Sequence, residues 1–111
     1  MTALRRPLRA VSERTNETAM KATALRFIQG MGVWAFKVHC GRRGRIQLAP
    51  EGTPDIWTQY GWLEGKTETG KLSPAQVAWH ERARREGVNV ATFRSPREAL
   101  EQVLRWKGGA T

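Results

Sequence analysis

Residues 54–66 of this chain read PDIWTQYGWLEGK, and they predict the β-hairpin on which the fold is built. Two runs of mostly β-prone residues, 55–58 and 62–67, flank a turn around Tyr60 and Gly61. Successive side chains of a strand point to opposite faces, so Glu64 and Lys66, two residues apart, share one face of the hairpin.

The length of the hairpin loop decides which residue faces Glu64. A two- or four-residue loop places Asp55 on the same face as Glu64, and the four-residue register, with residues 58–61 as the loop, places the two directly opposite each other. A three-residue loop instead sets Asp55 across from Gly65, with its side chain on the other face unless a bulge corrects it.

Two facing carboxylates destabilise a hairpin, because they repel each other by ~1 kcal/mol at about 4 Å in water and by more in a protein cleft. A hard divalent cation removes this repulsion, and Mg²⁺ is commonly held by one or two carboxylates with water and a substrate phosphate. Lys66 then contacts a phosphate oxygen or the attacking water, an arrangement suited to metal-assisted phosphodiester hydrolysis. The structural alternative is a solvated ion pair of Glu64 and Lys66. The Glu-x-Lys tripeptide, taken alone, favours this solvated ion pair. The presence of Pro54-Asp55 upstream favours a metal site instead.

The segment before the hairpin predicts a helix, a strand and a basic loop. The helix begins at Thr15 or Asn16, both good N-caps, and runs to about Gln29, with Gly30 as its left-handed stop. Residues 33–40 then form a strand. They are followed by a glycine-punctuated basic loop at 41–45 and a short extended piece at 46–49. The residues expected in the apolar stripe of the helix are Ala22, Leu25, Ile28 and Met31.

Two further helices have clear start signals after the hairpin. Ser73 and Gln76 form a capping box with Pro74 at the first helical position, and this helix ends at Gly87. A strand at 88–93 follows, and Ser95 opens a last helix that runs to about Trp106. We expect Leu100, Val103 and Leu104 to be buried. The element order α–β–(β)–β–β–α–β–α predicts an α/β or α+β domain with a mixed sheet flanked by helices.

The 111 residues allow one domain, divided here into a flexible basic arm (1–14), the folded domain (15–107) and a short tail (108–111). The 19 Lys and Arg residues against 10 acids give a formal charge of +9, which suggests a polyanionic partner. Nucleic acid is the first candidate for this partner. An anionic membrane is the weaker candidate, because no helix pairs a broad apolar face with a basic one. One cysteine excludes an internal disulfide, and no stretch is apolar enough for a membrane span.

Taken together, the motifs resemble the VRR-NUC family (virus-type replication-repair nucleases) of the PD-(D/E)XK nuclease superfamily. The similarity extends over about residues 15–106. The matching segments are residues 52–56 (GTPDI), 61–66 (GWLEGK), 70–76 (GKLSPAQ) and 87–90 (GVNV), with Ser95 opening the last helix. The resemblance implies a restriction-endonuclease-like mixed central sheet between helices, with Mg²⁺ or Mn²⁺ at the hairpin.

The resemblance also assigns roles to individual residues. It implies that Asp55 and Glu64 are metal ligands, that the Gly65 carbonyl is a further ligand, and that Lys66 is the catalytic lysine. A family glutamate on the first helix corresponds best to Glu17, with Glu13 as the alternative. The family's glutamine beside the site corresponds to Gln76, which the capping box explains equally well. Gly65 departs from the family pattern, where an aliphatic residue is more common, and this loosens the strand slightly.

Other residues have less specific interpretations. We expect the five tryptophans to lie mainly in the core, although Trp57 and Trp62 are close enough to the site to stack on a nucleotide. His80 is interpreted as a packing or solvated residue. The expected DNA-contacting residues lie around the glycine-rich loop and after the catalytic strand: Lys37, Arg42, Arg43, Arg45 and Lys71. Arg82, Arg84 and Arg85 are interpreted as a solvated helix face.

The expected activity is therefore Mg²⁺- or Mn²⁺-dependent cleavage of DNA. The small size of the chain resembles phage and bacterial members of the family, which suggests cleavage of branched or four-way junction DNA in repair, recombination or phage replication. The expected location is the cytoplasm of a bacterial or phage-infected cell. Symmetric cutting of two strands requires two active sites, hence a homodimer. The alternative is a non-catalytic nucleic-acid-binding module of the same fold.

Overall fold

The structure, a computed structural model, describes residues 9–109, with side chains from residue 16 onward. This part of the chain is an α+β fold with a mixed four-stranded sheet, a two-stranded ribbon and three helices, which confirms the predicted class. In chain order the elements are α1 (Arg9–Gly30), β1 (Ala35–Lys37), β2 (Arg42–Arg43), β3 (Ile46–Gln47), β4 (Ile56–Thr58), β5 (Gly61–Gly65), α2 (Pro74–Arg85), β6 (Val90–Phe93) and α3 (Pro96–Lys107).

The four-stranded sheet has the order β1-β4-β5-β6, with antiparallel pairing from β1 to β5 and parallel pairing of β5 with β6. Helices α1 and α3 pack against one face and against each other. Ile28, Leu63 and Val103 lie in the core between them, each completely buried. Helix α2 covers the opposite face over β5 and β6, where the ring of Trp79 contacts that of Trp62 at 5.1 Å between centroids.

The hairpin of β4 and β5 has the predicted register, with a shorter loop of two residues, Gln59 and Tyr60. The paired residues are Ile56 with Leu63, Trp57 with Trp62 and Thr58 with Gly61. The same register, extended by one residue, sets Asp55 opposite Glu64. The Thr58 hydroxyl stabilises the turn by accepting hydrogen bonds from the Tyr60 and Gly61 N–H groups and donating one to the Gly61 carbonyl.

Helix α1 differs from its prediction at both ends. It begins at Arg9, upstream of the predicted caps Thr15 and Asn16, so residues 9–14 of the predicted basic arm are helical. Residues 1–8 of that arm lie outside the described residues, as do residues 110–111 of the tail. The left-handed stop is Gly32, with φ +80°, and not Gly30, which still belongs to the helix. A good cap residue inside a helix gives a false start signal when helical residues precede it.

The two later helices begin where the capping signals predict. Ser73 accepts a hydrogen bond from the Gln76 N–H, and the Gln76 side chain accepts one from the Ser73 N–H, which completes the capping box. Ser95 caps α3 in the same manner through the Glu98 N–H. Gly87 follows α2 with φ +76°.

Several burial predictions are wrong. The buried face of α3 is centred on Ala99 and Val103, whereas Leu104 is 39% exposed and Leu100 only half-buried. In α1, Ile28 is buried as predicted and Leu25 is half-buried. Ala22 and Met31 are exposed. Small alanines fit where helices approach closely, and this shifts the buried stripe away from the larger side chains.

The tryptophans are less buried than predicted. Trp34 is 68% exposed, and the other four are half-buried. The strand that carries Trp34 was predicted at 33–40 and is shorter, and its core-facing residues are Val33 and Ala35. The aromatic residues of β1 therefore lie on the side of the sheet that α1 and α3 leave uncovered.

The turn before the hairpin packs tightly against α2. Gly52 has φ +88°, a conformation that side chains other than glycine rarely adopt. A Cβ atom at this position would also collide with the backbone carbonyl of Ala75 in the first turn of α2. The turn continues through Thr53, whose hydroxyl and N–H both donate to the Pro50 carbonyl, directly before Pro54 and Asp55.

No helix among residues 9–109 is long and apolar enough to cross a lipid bilayer.

Candidate active site

The site is built around the carboxyl groups of Asp55 and Glu64, which the hairpin register brings together. Asp55 directly precedes β4, where its carbonyl accepts a hydrogen bond of 2.7 Å from the Val38 N–H. Its Oδ2 accepts a hydrogen bond of 2.8 Å from the Gly65 N–H, which ties the side chain to the neighbouring strand. The position of this carboxylate therefore depends on strands on both sides.

Lys21, from α1, completes the surroundings of Asp55. Its Nζ lies 3.1 Å from Asp55 Oδ2 and 3.0 Å from Glu17 Oε2, so the ammonium group bridges two carboxylates. Burial lowers the pKa of Lys21, but the two carboxylates outweigh it, and the pKa is raised above its ordinary value. Lys21 is consequently charged throughout the physiological range.

Glu64 is the most unusual group in the site. It is 1% exposed, and burial, a hydrogen bond with Asp55 and repulsion from Asp55 raise its pKa to about 9, against the opposing charges of Lys66 and Lys21. Its Oε1 has no hydrogen-bond partner among the described residues. Buried acceptors without a partner are rare in proteins, and this oxygen points to a missing ligand, water or ion.

His80 lies beside Glu64, where sequence reasoning did not place it. The histidine is 1% exposed, and its Nε2 lies 4.0 Å from Glu64 Oε1, too far for a hydrogen bond. Both ring nitrogens lack partners among the residues that the structure describes. Burial, with the charges of Arg84 and Lys66, lowers the pKa of His80, so the ring is neutral at pH 7. The signal for its position was the four-residue spacing from Gln76, which puts both on one helix face.

Gly65 leaves room for the lysine of α1. A Cβ atom added at Gly65 would lie 2.8 Å from Lys21 Cγ and 2.8 Å from Phe93 Cζ. Glycine at position 65 therefore has a packing reason, since a larger residue would displace the side chain that bridges Asp55 and Glu17.

The other predicted catalytic residues lie at the rim of this cluster. Lys66 directly follows β5, is half-buried, and its charge lowers the pKa of Glu64. The side-chain oxygen of Gln76 accepts a hydrogen bond of 2.8 Å from the Ser73 N–H, so the structural explanation of Gln76 holds, and its catalytic role stays a prediction.

The predicted metal ligands come together only in part. Asp55, Glu64 and Gly65 are adjacent, whereas Glu17 reaches Asp55 through Lys21. Within the described part of the chain, no three His, Cys, Asp or Glu side chains form a group that could hold a metal ion. The side chain of Glu13 lies outside the described residues. The donor set for a cation therefore consists of two carboxylates and backbone carbonyl oxygen.

The predicted DNA-contacting residues are all exposed: Lys37, Arg42, Arg43, Arg45 and Lys71. The glycine-rich loop is a β-ribbon, in which Arg42 pairs with Gln47 and Arg43 with Ile46 around Gly44. We call residues 42–47 the basic ribbon. Among the described residues, none of its arginines forms an ion pair.

Arg94 fixes the loop that follows β5. Its Nη1 donates hydrogen bonds to the carbonyls of Thr67, Glu68 and Gly70. Sequence reasoning gave no sign of this role, because the contact joins two segments far apart in the chain. The guanidinium group stabilises the path of the backbone directly after Lys66.

Comparison of the chain with protein-family models, with curated proteins and with solved structures finds no match.

Proposed function

We propose that this chain is a Mg²⁺- or Mn²⁺-dependent DNA endonuclease that hydrolyses phosphodiester bonds. The observation that carries the proposal is the pair of half-buried Asp55 and buried Glu64, in which Glu64 has a pKa of about 9 and a buried oxygen without a partner among the described residues. The raised pKa of Glu64 means that the charges of Lys66 and Lys21 do not offset its burial and the repulsion from Asp55, and a divalent cation would supply the further positive charge.

The residues present fit one hard divalent cation. Asp55 and Glu64 would hold it through carboxylate oxygens, with the Gly65 carbonyl as a further ligand and water completing the shell. Such an ion stabilises negative charge on a phosphate and lowers the pKa of bound water. Glu17 would contribute indirectly: it forms an ion pair with Lys21, and Lys21 forms a second ion pair with Asp55.

In this proposal, Lys66 supplies a positive charge between the pair of Asp55 and Glu64 and the phosphate of the substrate. It follows Glu64 by two residues on the same face, which supports a role in which its ammonium group contacts a phosphate oxygen or orients the attacking water. In this proposal Gln76 supports the arrangement from the first turn of α2. The basic ribbon, with Lys37 and Lys71, would contact the phosphate backbone.

The finer parts of the proposal rest on the resemblance to the VRR-NUC family. They are a restriction-endonuclease-like arrangement of the sheet, preference for branched or junction DNA, a homodimer for paired cuts, and a role in repair, recombination or phage replication in a bacterial or phage-infected cell. The mixed sheet with helices on both faces supports the first of these. The formal charge of +9 supports DNA as the partner.

One observation favours the alternative, a non-catalytic nucleic-acid-binding module. Lys21 already forms ion pairs with Asp55 and Glu17, so an ammonium group occupies part of the space in which a cation would sit. In a module that has lost activity, Lys21 would replace the metal permanently.

The test is cleavage of duplex, flapped and four-way junction DNA with Mg²⁺ or Mn²⁺. It compares the wild-type chain with Asp55→Asn, Glu64→Gln and Lys66→Met, and uses Glu101→Gln, an exposed acid on α3, as the control. We expect the three site variants to lose cleavage by at least about a hundredfold, because general acid–base and electrostatic groups contribute that much. The control should cut as the wild type does.

The outcomes separate the two functions. Cleavage that survives Asp55→Asn would refute the site assignment. A wild-type chain that binds these DNAs but cleaves none of them with either metal would establish the binding module instead.

A further inference from the structure

Three aromatic side chains at β1 and β4 form a continuous surface, of which the outer two are exposed and the central one is half-buried. Trp57 lies between Trp34 and Phe36, with its ring edge-on to Trp34 at 5.1 Å and stacked on Phe36 at 4.9 Å. Trp34 is 68% and Phe36 is 47% exposed. We call Trp34, Phe36 and Trp57 the aromatic platform.

The platform lies on the sheet face that carries the carboxylates. Phe36 pairs with Trp57 across β1 and β4, and Trp57 pairs with Trp62 across the hairpin. Because side chains alternate, these residues point away from the core formed with α1 and α3. Helix α2 covers Trp62 through Trp79, but it does not extend over β1, where Trp34 and Phe36 are exposed.

The register also fixes the order of features along this face. Trp57 follows Asp55 by two residues, which is roughly 7 Å along a strand. On the other side of Asp55, the chain leaves β1 through Val38 and enters the basic ribbon. Along the chain, the basic ribbon thus follows the end of β1 that lies beside Asp55, and the aromatic platform lies toward the other end of β1 and β4.

The chemistry of the platform favours nucleobases over a second copy of the chain. Aromatic rings stack on any base, and a nearby basic segment attracts the phosphates of the same strand. The exposed part of the three rings amounts to roughly 300 Å², well below the ~800 Å² that each partner contributes to a stable protein interface.

We propose that the aromatic platform binds unpaired nucleobases of single-stranded DNA next to the carboxylate pair. The choice of DNA as partner rests on the proposed function. The stacking itself needs no metal and no cleavage. Unpaired bases occur at flaps, junctions and ends, so the platform gives this chain a physical means of preferring such structures over continuous duplex.

The test measures binding in EDTA by fluorescence anisotropy, with two labelled probes. One is an oligothymidylate of about 12 nucleotides, within the usual span of single-strand sites, and the other is an abasic strand of equal length. We expect Trp34→Ala and Phe36→Ala each to weaken oligothymidylate binding about tenfold, the effect of losing one stacked base. Binding of the abasic strand should change less than about twofold, because it has phosphates but no bases.

Matched variants separate stacking from other effects. Phe27→Ala removes an aromatic ring that is also 47% exposed, but on α1, and should bind both probes as the wild type does. Trp34→Phe keeps a stacking ring and should retain most of the affinity. Phe36→Leu keeps apolar volume for folding but loses the flat ring, so it should bind as weakly as Phe36→Ala.

Three results would overturn the proposal. The platform variants bind oligothymidylate like the wild type; they lose equal affinity for the abasic strand; or light scattering shows a wild-type dimer that they convert to monomers. Glu101→Gln, an exposed acid on α3, should keep full affinity for oligothymidylate. If the wild type stacks bases but cleaves nothing, only the nuclease proposal fails, and if it cleaves while the platform variants bind normally, only this inference fails.

Discussion

The ammonium group of Lys21 lies 3.1 Å from Asp55 Oδ2, so a residue of the first helix holds the carboxylate that begins the hairpin. The side chains are only 21% and 24% exposed, which makes this contact stronger than an ion pair in full contact with water. Glu17 holds the lysine from its other side.

Replacing Lys21 with methionine should therefore destabilise the metal-free protein. The loss leaves Asp55 without its counter-ion and further raises the pKa of Glu64, and we expect a cost of about 1–2 kcal/mol in urea denaturation at pH 7.5. Arg97→Met is the control, because it breaks the exposed ion pair with Glu101 and should cost less than about 0.5 kcal/mol. Equal losses in the two variants would contradict the proposed strength of the Lys21 contact.

The stability of the metal-free protein should fall between pH 7 and pH 9. The pKa of Glu64 is raised to about 9 in the folded chain from an ordinary 4.5, so its contribution is complete below pH 4.5 and is lost as the pH rises toward 9. His80 acts in the opposite direction. Its pKa is lowered from 6.5, so its contribution is lost only as the pH falls below that value.

Urea denaturation at pH 7, 8 and 9 isolates the effect of Glu64, since His80 is neutral throughout this range. Glu64→Gln cannot ionise, and its stability should change much less over the same interval. A wild-type curve as flat as that of Glu64→Gln would show that the carboxyl group is not held protonated.

Divalent metal should reverse this pH dependence. Mg²⁺ or Mn²⁺ binds the ionised carboxylate, so binding releases a proton and the stabilisation grows as the pH rises from 6 to 9. At a hundredfold excess over Kd we expect about 2.7 kcal/mol, measurable as a rise in Tm. Glu64→Gln should lose this rise, whereas Glu81→Gln, an exposed acid on α2, should keep it. A rise that is independent of Glu64 would place the metal elsewhere.

The basic ribbon should account for much of the salt dependence of DNA binding. For a variant with Arg42, Arg43 and Arg45 all changed to alanine, we expect weaker binding to every DNA sequence. On duplex DNA, the slope of log K against log salt should fall by about 0.9 for each phosphate that the variant no longer neutralises. Arg85→Ala removes one exposed arginine from α2 and should leave the slope nearly unchanged. An unchanged slope in the triple variant would exclude the ribbon from the interface.

The sequence predicted the parts of the fold that depend on neighbouring residues. The capping box at Ser73, the N-cap at Ser95 and the alternation around Trp57 and Trp62 are local patterns, and each appears in the structure as predicted. The pairing of Asp55 with Glu64 was one of the two outcomes that the loop length left open, and the structure has that register. These features could be predicted because few residues determine each of them.

The rest depended on contacts between distant segments. Lys21 reaches Asp55 from α1, and His80 approaches Glu64 from α2, although neither is close to its partner in the sequence. The start of α1 was also missed, because good cap residues within the helix concealed the turns before them. No periodicity reports which side chains of separate elements meet in space.

Substitutions at Gly52 should impair function, although glycine has no side chain that could take part in chemistry. Any larger residue there would strain the backbone and push against Ala75, thereby separating the first turn of α2 from the turn that carries Asp55. In a random mutagenesis screen scored only by function, substitutions at Gly52 would be indistinguishable from loss of the carboxylate itself. Variants of Gly52 and variants of Asp55 would thus look alike in the activity screen. A thermal melt would separate them, because substitution of Gly52 strains the backbone and lowers stability.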